Sequence, residues 1–158
     1  MQPSLALGCG VVVAAVCYHF ATPLPPATPS DPPVNPGHLT LVVEGTVQHL
    51  DITHAVAKPD PWGGVPTGLT SAFALRIDGA DGSTFAHIPV DLSRFDLDPS
   101  RIGKPPTVTG CNVKDSRIGM LLNVPDHPTA SRYVFVQGEQ VIGEVPAARV
   151  RALTGGGR

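Results

Sequence analysis

HLTLVVEGTVQHLDIT, residues 38–53, is the stretch whose reading decides the fold. Leu39, Leu41, Val43, Gly45 and Val47 alternate with Thr40, Val42, Glu44, Thr46 and Gln48. That period of two belongs to a half-buried β-strand. Gly45 in its middle permits a bend or a close backbone approach. Leu50 and Ile52 fall on the opposite parity, and a bulge over residues 48–50 is expected to keep them in one long strand.

Outward from that strand, strands and turns follow in short units. Residues 55–70 carry Pro59, Pro61, Gly63, Gly64, Pro66 and Gly68 and read as a long loop. Residues 71–78 form a second strand with Phe73, Leu75 and Ile77 on one face, and the turn at residues 78–82 (DGADG) leads into a third over 84–90. Asp98-Pro99 is a start signal for a short helical turn with Asp98 as its cap. Further strands are expected over 107–113, 120–124 and 132–137, with a turn at Gly138-Glu139 into Val141-Ile142. Pro146 is placed to open a short helix ending at Leu153. The expectation is an all-β domain over residues 38–154, a small five- or six-stranded barrel or sandwich with short helical turns, ahead of a glycine-rich tail at 155–158.

The chain before this domain differs in kind. Residues 1–30 hold no Asp, Glu, Lys or Arg, and residues 5–21 (LALGCGVVVAAVCYHFA) are apolar apart from Tyr18 and His19. Seventeen residues suit either a short membrane-spanning helix or a long signal core, so residues 1–21 are read as a signal or membrane-anchor helix. Residues 22–37 carry seven prolines, which remove amide donors and fix φ, and read as a polyproline-like linker. Together these segments predict a membrane-anchored or secreted protein with its domain outside the cytoplasm.

Composition narrows the function classes. With 11 basic and 13 acidic residues the formal charge is -2, so no strong positive field draws the chain to phosphate, and nucleic-acid binding is disfavoured. Cys111 is the only cysteine of the domain, which excludes an internal disulfide framework there; it reads as a small buried hydrophobe.

The order of elements resembles the five-stranded OB barrel. The resemblance rests on Val43-Glu44-Gly45-Thr46-Val47 as a glycine-bent first strand, the hairpin that follows, Thr107-Val108-Thr109-Gly110, and residues 132–137 closing the barrel. It covers residues 39–137. It implies a binding face on the second and third strands, here Phe73, Arg76, Phe85 and His87, suited to single-stranded nucleic acid, an oligosaccharide or a protein. Arg76 is the only Lys or Arg between Gly63 and Val90, so the interleaving of basic and aromatic residues that strands of nucleic acid require is missing.

Trp62, the sole tryptophan, sits in a loop rich in proline and glycine. It reads either as a contact anchor or as a cover folded back over the barrel end. His49, Asp51 and His54, joined by His87, have metal-ligand composition without the regular spacing of a zinc site. They read as surface histidines or, less favoured, as the centre of a metal-assisted hydrolase. Arg101, Lys104, Lys114 and Arg117 read as a solvated face. No serine triad or phosphate-cradling glycine motif is present. The functional expectation is thus a non-enzymatic module contacting a protein partner through Trp62, Phe73, Arg76, Phe85 and His87, with no catalytic residue, metal or cofactor assigned.

Overall fold

A computed structural model describes residues 37–155. The opposite parity of Leu50 and Ile52 proves to be a chain reversal, not a bulge within one strand. β1 (Gly37–Thr46) and β2 (His49–Pro61) are antiparallel, with Thr46 opposite His49 and Glu44 opposite Asp51. The bulge lies further along, where the register shifts between Val42 and Val43, so that Ile52 and Ala55 both point into the core although their numbers differ in parity. Gly45, at φ 147°, lies against the His49 carbonyl where an added Cβ would collide, and this close approach admits the tight hairpin. The expected loop over 55–70 is strand as far as Pro61.

Three open antiparallel sheets result. The first has the order β2-β1-β7, with β7 spanning Ile118–Pro125. The second has the order β4-β3-β8-β9, built from β3 (Phe73–Gly79), β4 (Thr84–Pro89), β8 (Ala130–Gln137) and β9 (Gln140–Pro146). The third is a hairpin of β5 (Thr107–Thr109) and β6 (Asn112–Lys114), exposed at every residue, where a single strand over 107–113 was expected. Gly110, at φ 63°, makes its turn. A single 3₁₀ turn, Pro99–Arg101, is capped by Asp98, whose carboxylate accepts the Ser100 N–H. α1 (Ala147–Gly155) follows β9 directly, with Pro146 still in the strand.

The barrel and the OB resemblance are therefore overturned. Closure requires one strand to form ladders with both halves of the sheet, and both edges of β1 are already taken, by β2 and β7. The β3-β4 hairpin pairs with β8 instead. The expected apolar N-terminal helix and its anchor fall on residues outside those described. Among the described residues the only α-helix is C-terminal, none is long and apolar enough to cross a membrane, and no sheet closes, so the expected transmembrane helix and barrel are both absent there.

Both larger sheets face one core. Leu41, Val43, Leu50, Ile52 and Val124 from the first sheet and Leu75, Ile77, Phe135 and Val145 from the second belong to one buried cluster. Val150 of α1 joins it, which explains why a helix of otherwise weak amphipathic pattern docks here. Tyr133 is also buried, and loss of hydration, reinforced by the charge of Asp126, pushes its phenol up to about 12.

The layers are pinched together on one side. Gly143 of β9 rests against the backbone carbonyl of Leu50 in β2, with the Phe135 ring on its other flank, and an added Cβ would run into both. On the opposite side β4 and β7 form the outer strands. Gly143→Ala is expected to destabilise the domain by about 1–3 kcal/mol, because the obstruction is backbone and cannot rotate away. Gly119→Ala, in open space on β7, should change the urea midpoint little. Equal midpoints for the two variants would show that the β2-β9 contact does not limit packing.

Candidate partner-binding cleft

The free edge of β7 is defined by its hydrogen-bond alternation. Asp126 donates its N–H to the Gly37 carbonyl at 3.0 Å, continuing the β1-β7 register, in which Leu39 faces Val124 and Leu41 faces Leu122. Alternation then turns the backbone groups of Gly119, Leu121 and Asn123 away from β1. The Asn123 carbonyl is met by Trp62, whose indole Nε1–H donates to it at 3.1 Å. Trp62 is half-buried and packs against the core cluster, so it pins the chain leaving β2 across the end of the sheet to the far edge. Among the described residues there is no barrel end for the ring to cover; it lies across the end of an open sheet.

Beyond Trp62 the chain forms one wall of a cleft of about 390 Å³. Val65, Pro66 and Leu69 stand on one side, Ile88 and Pro89 of β4 on another, and Met120, Leu121 and Leu122 of β7 opposite. The volume lies at the low end for ligand-sized clefts. Arg94 and Asp91 supply charge at its rim. Asp91 accepts the N–H of Ser93 at 2.9 Å, and its bonding to Ser93 holds its carboxyl below the usual range. Leu121 is 68% exposed and Val65 36%, so the cleft opens onto apolar surface. A single Gly- and Pro-rich loop signals this wall in sequence; the β7 side carries no local signal.

The residues singled out by sequence do not share one face. Phe73 points into the core. Phe85 is half-buried against the same core and stacks on His127, with ring centroids 4.4 Å apart. Arg76 and His87 are cross-strand neighbours on the outer face of the second sheet. Trp62 is hydrogen-bonded to the first sheet.

Arg76 is held by Asp78. Its Nε and Nη2 donate to the Asp78 carboxylate at 3.0 and 2.8 Å, Thr84 donates to the same group at 3.0 Å, and Arg132 lies 3.4 Å from it. Glu144 meets Arg132 at 3.6 Å, so the network crosses all four strands of that sheet. Burial alone would raise the Asp78 carboxyl, but hydrogen bonds from Arg76 and Thr84 and the charges of Arg76 and Arg132 outweigh it and hold its pKa below the ordinary value.

His49 and Asp51 line a shallow polar depression with Glu44, Asp115 and Arg117. Asp51 is engaged by Arg149, which donates to both carboxylate oxygens at 3.0 and 2.9 Å. Among the described residues no group of three or more His, Cys, Asp or Glu is placed to hold a metal ion. Cys111, expected to be buried, is an exposed free thiol at the tip of the β5-β6 hairpin, because the expected strand turns back at Gly110. Of the basic residues grouped by sequence, Arg101 is turned onto the Pro105 carbonyl, the Thr107 hydroxyl and Asp96, while Arg117 faces the polar depression.

No family model matches the chain, and no curated protein or solved structure matches it at a significant level.

The Asp78 network generates a pH dependence. Because its folded-state pKa lies below the ordinary carboxylate value, ionised Asp78 stabilises the domain above about pH 4, and that contribution is lost as pH falls through the lowered value. Asp78→Asn should cost about 1–3 kcal/mol at pH 7, toward the low end because Arg76 and Arg132 are 35% and 40% exposed and water screens them. Urea denaturation at pH 7 and pH 3 checks this: the gap between variant and parent should narrow at pH 3, and a constant gap would rule out the ionised carboxylate as its source.

Proposed function

We propose that the domain is a non-enzymatic module that binds a protein partner through the cleft between the Trp62 loop, β4 and β7. The observation that carries this is the asymmetry of the double layer. Gly143 lets the sheets come together at β2 and β9, whereas at β4 and β7 a cleft of mixed polar and apolar lining opens beside the exposed Leu121. Exposed apolar surface next to a concave site is a feature of contact surfaces. Trp62 contributes by holding the loop in place, and Val65 and Leu69 supply its contact side. Arg76 and Phe85 support the scaffold through Asp78 and His127. Display outside the cytoplasm belongs to the same proposal and is supported by the uncharged apolar run at residues 5–21.

A photo-crosslinking amino acid at position 65 tests the assignment in cells producing the full chain. It should trap one discrete protein, while the same group at position 56, exposed on β2, should not. Leu69→Asp should lower the yield at least about tenfold, equivalent to about 1.4 kcal/mol, with the fold retained in urea denaturation. Equal labelling from positions 65 and 56, or a yield indifferent to Leu69→Asp, would remove the cleft as the contact surface.

A further inference from the structure

One wall of the cleft differs from the others in how it is held. Ile88 and Pro89 belong to β4 and residues 120–122 to β7, so both of those walls are fixed by strand ladders. The third wall, with Gly64, Val65, Pro66 and Leu69, belongs to the segment 63–70 between β2 and β3. Its two ends are fastened. Trp62 donates to the Asn123 carbonyl at 3.1 Å on one side. On the other, the Ser71 hydroxyl donates to the Val90 carbonyl at 2.6 Å and the Ala72 carbonyl accepts the Gly138 N–H at 2.8 Å. Between these fastenings, among the described residues, no hydrogen bond joins residues 63–70 to the rest of the domain. Residues 63–68 are also exposed without exception. Segments with so few ties to the body open at the lowest cost in free energy.

This segment has a stiff part and a joint. Leu69 donates its N–H to the Pro66 carbonyl at 3.2 Å, and Gly68, at φ 80°, fills the third place of that turn, where a positive φ is required. Residues 66–69 therefore keep their own shape. Gly63 and Gly64 precede them in open space, with Gly64 at φ 83°, so the backbone turns there with no side chain in the way. None of residues 63–70 is charged, and carrying them across the cleft strips no ion on the segment of its water. Val65 on this wall and Leu121 on β7 are both exposed, and bringing the two walls together removes apolar area from water.

We propose that residues 63–70 are a strap that swings about Gly63-Gly64, carrying Val65 and the Pro66–Leu69 turn toward β7 to close the cleft and cover Leu121. Trp62 is the fixed post ahead of the joint, and Ser71 holds the far end. The position seen is the open one, since Leu121 stands uncovered. This rests on the reading of the cleft as the contact site and adds how that site is opened and closed.

Linking across the cleft tests the strap in the full chain with Cys9, Cys17 and Cys111 replaced by Ser and the fold checked by urea denaturation. Val65→Cys with Leu121→Cys joins the strap to β7, whereas Pro89→Cys with Leu121→Cys joins two laddered walls. Each pair is treated with a graded series of bis-maleimides, from a short alkyl spacer to a long one. The strap pair should be closed by both short and long members, and the β4-β7 pair by a narrower range. Gly63→Ala with Gly64→Ala stiffens the joint and should slow closure of the strap pair by the shortest linker at least about threefold, while the β4-β7 pair reacts as before. Gly119→Ala, a change of the same kind in open space on β7, should leave both pairs unaltered.

A strap pair closed by no wider a range of linkers than the β4-β7 pair, or closed at an unchanged rate after both joint glycines are replaced in a folded variant, would overturn the strap. If that happens while position 65 still traps one protein and Leu69→Asp still lowers the yield, the strap fails and the contact assignment stands. If the strap pair behaves as expected but position 65 traps no cellular protein, the contact assignment fails and the strap stands.

Discussion

Backbone contact between Gly143 and Leu50 sets the asymmetry of this domain. Two antiparallel sheets with one apolar face each are driven together by burial, but side chains normally hold such layers about 10 Å apart. Where a glycine lies on the inner surface, the strands meet at backbone distance. With β9 drawn onto β2 and α1 packed beneath the same side through Val150, the opposite strands β4 and β7 are bridged by loops. Trp62 ties one loop to the far edge through the Asn123 carbonyl, and the chain after β4 sends Leu92 into the core and Arg94 across the rim.

The two larger sheets consequently play different parts. The second is braced on its outer face by Asp78, which lies between Arg76 and Arg132 and links to Glu144 through the latter. Such a network orients side chains toward one another and leaves them less available for outside contacts. The first sheet ends in a strand whose outward backbone groups have one partner, Trp62, among the described residues.

Much of the local structure was legible because turn chemistry acts over a few residues. The turn at 78–82, the cap at Asp98, the reversal at Gly138 and the helix near Pro146 all rest on local backbone preferences. The first hairpin was misread for a physical reason: a bulge and a two-residue turn both shift side-chain parity, and Val47-Gln48 carries no strong turn signal. One unbroken strand over residues 38–53 would be free to close a barrel, whereas two strands joined by a hairpin are not. Cys111 stands at a hairpin tip and not in a core for a related cause, because a strand and a hairpin can share one run of β-branched residues.

By itself, the sequence determined the alternation of apolar and polar positions, the places where glycine, proline and aspartate end the strands, and the all-β class, because each depends on neighbours in the chain. Only the tertiary structure decided which strands are adjacent, that Trp62 crosses to β7, that Arg76 and Arg132 share Asp78, and that the cleft lies at β4 and β7. These are meetings of residues far apart in the chain, as Trp62 and Asn123 are at 61 positions. Strand pairing is settled by which apolar faces can be buried together, a competition among whole strands that no local pattern encodes.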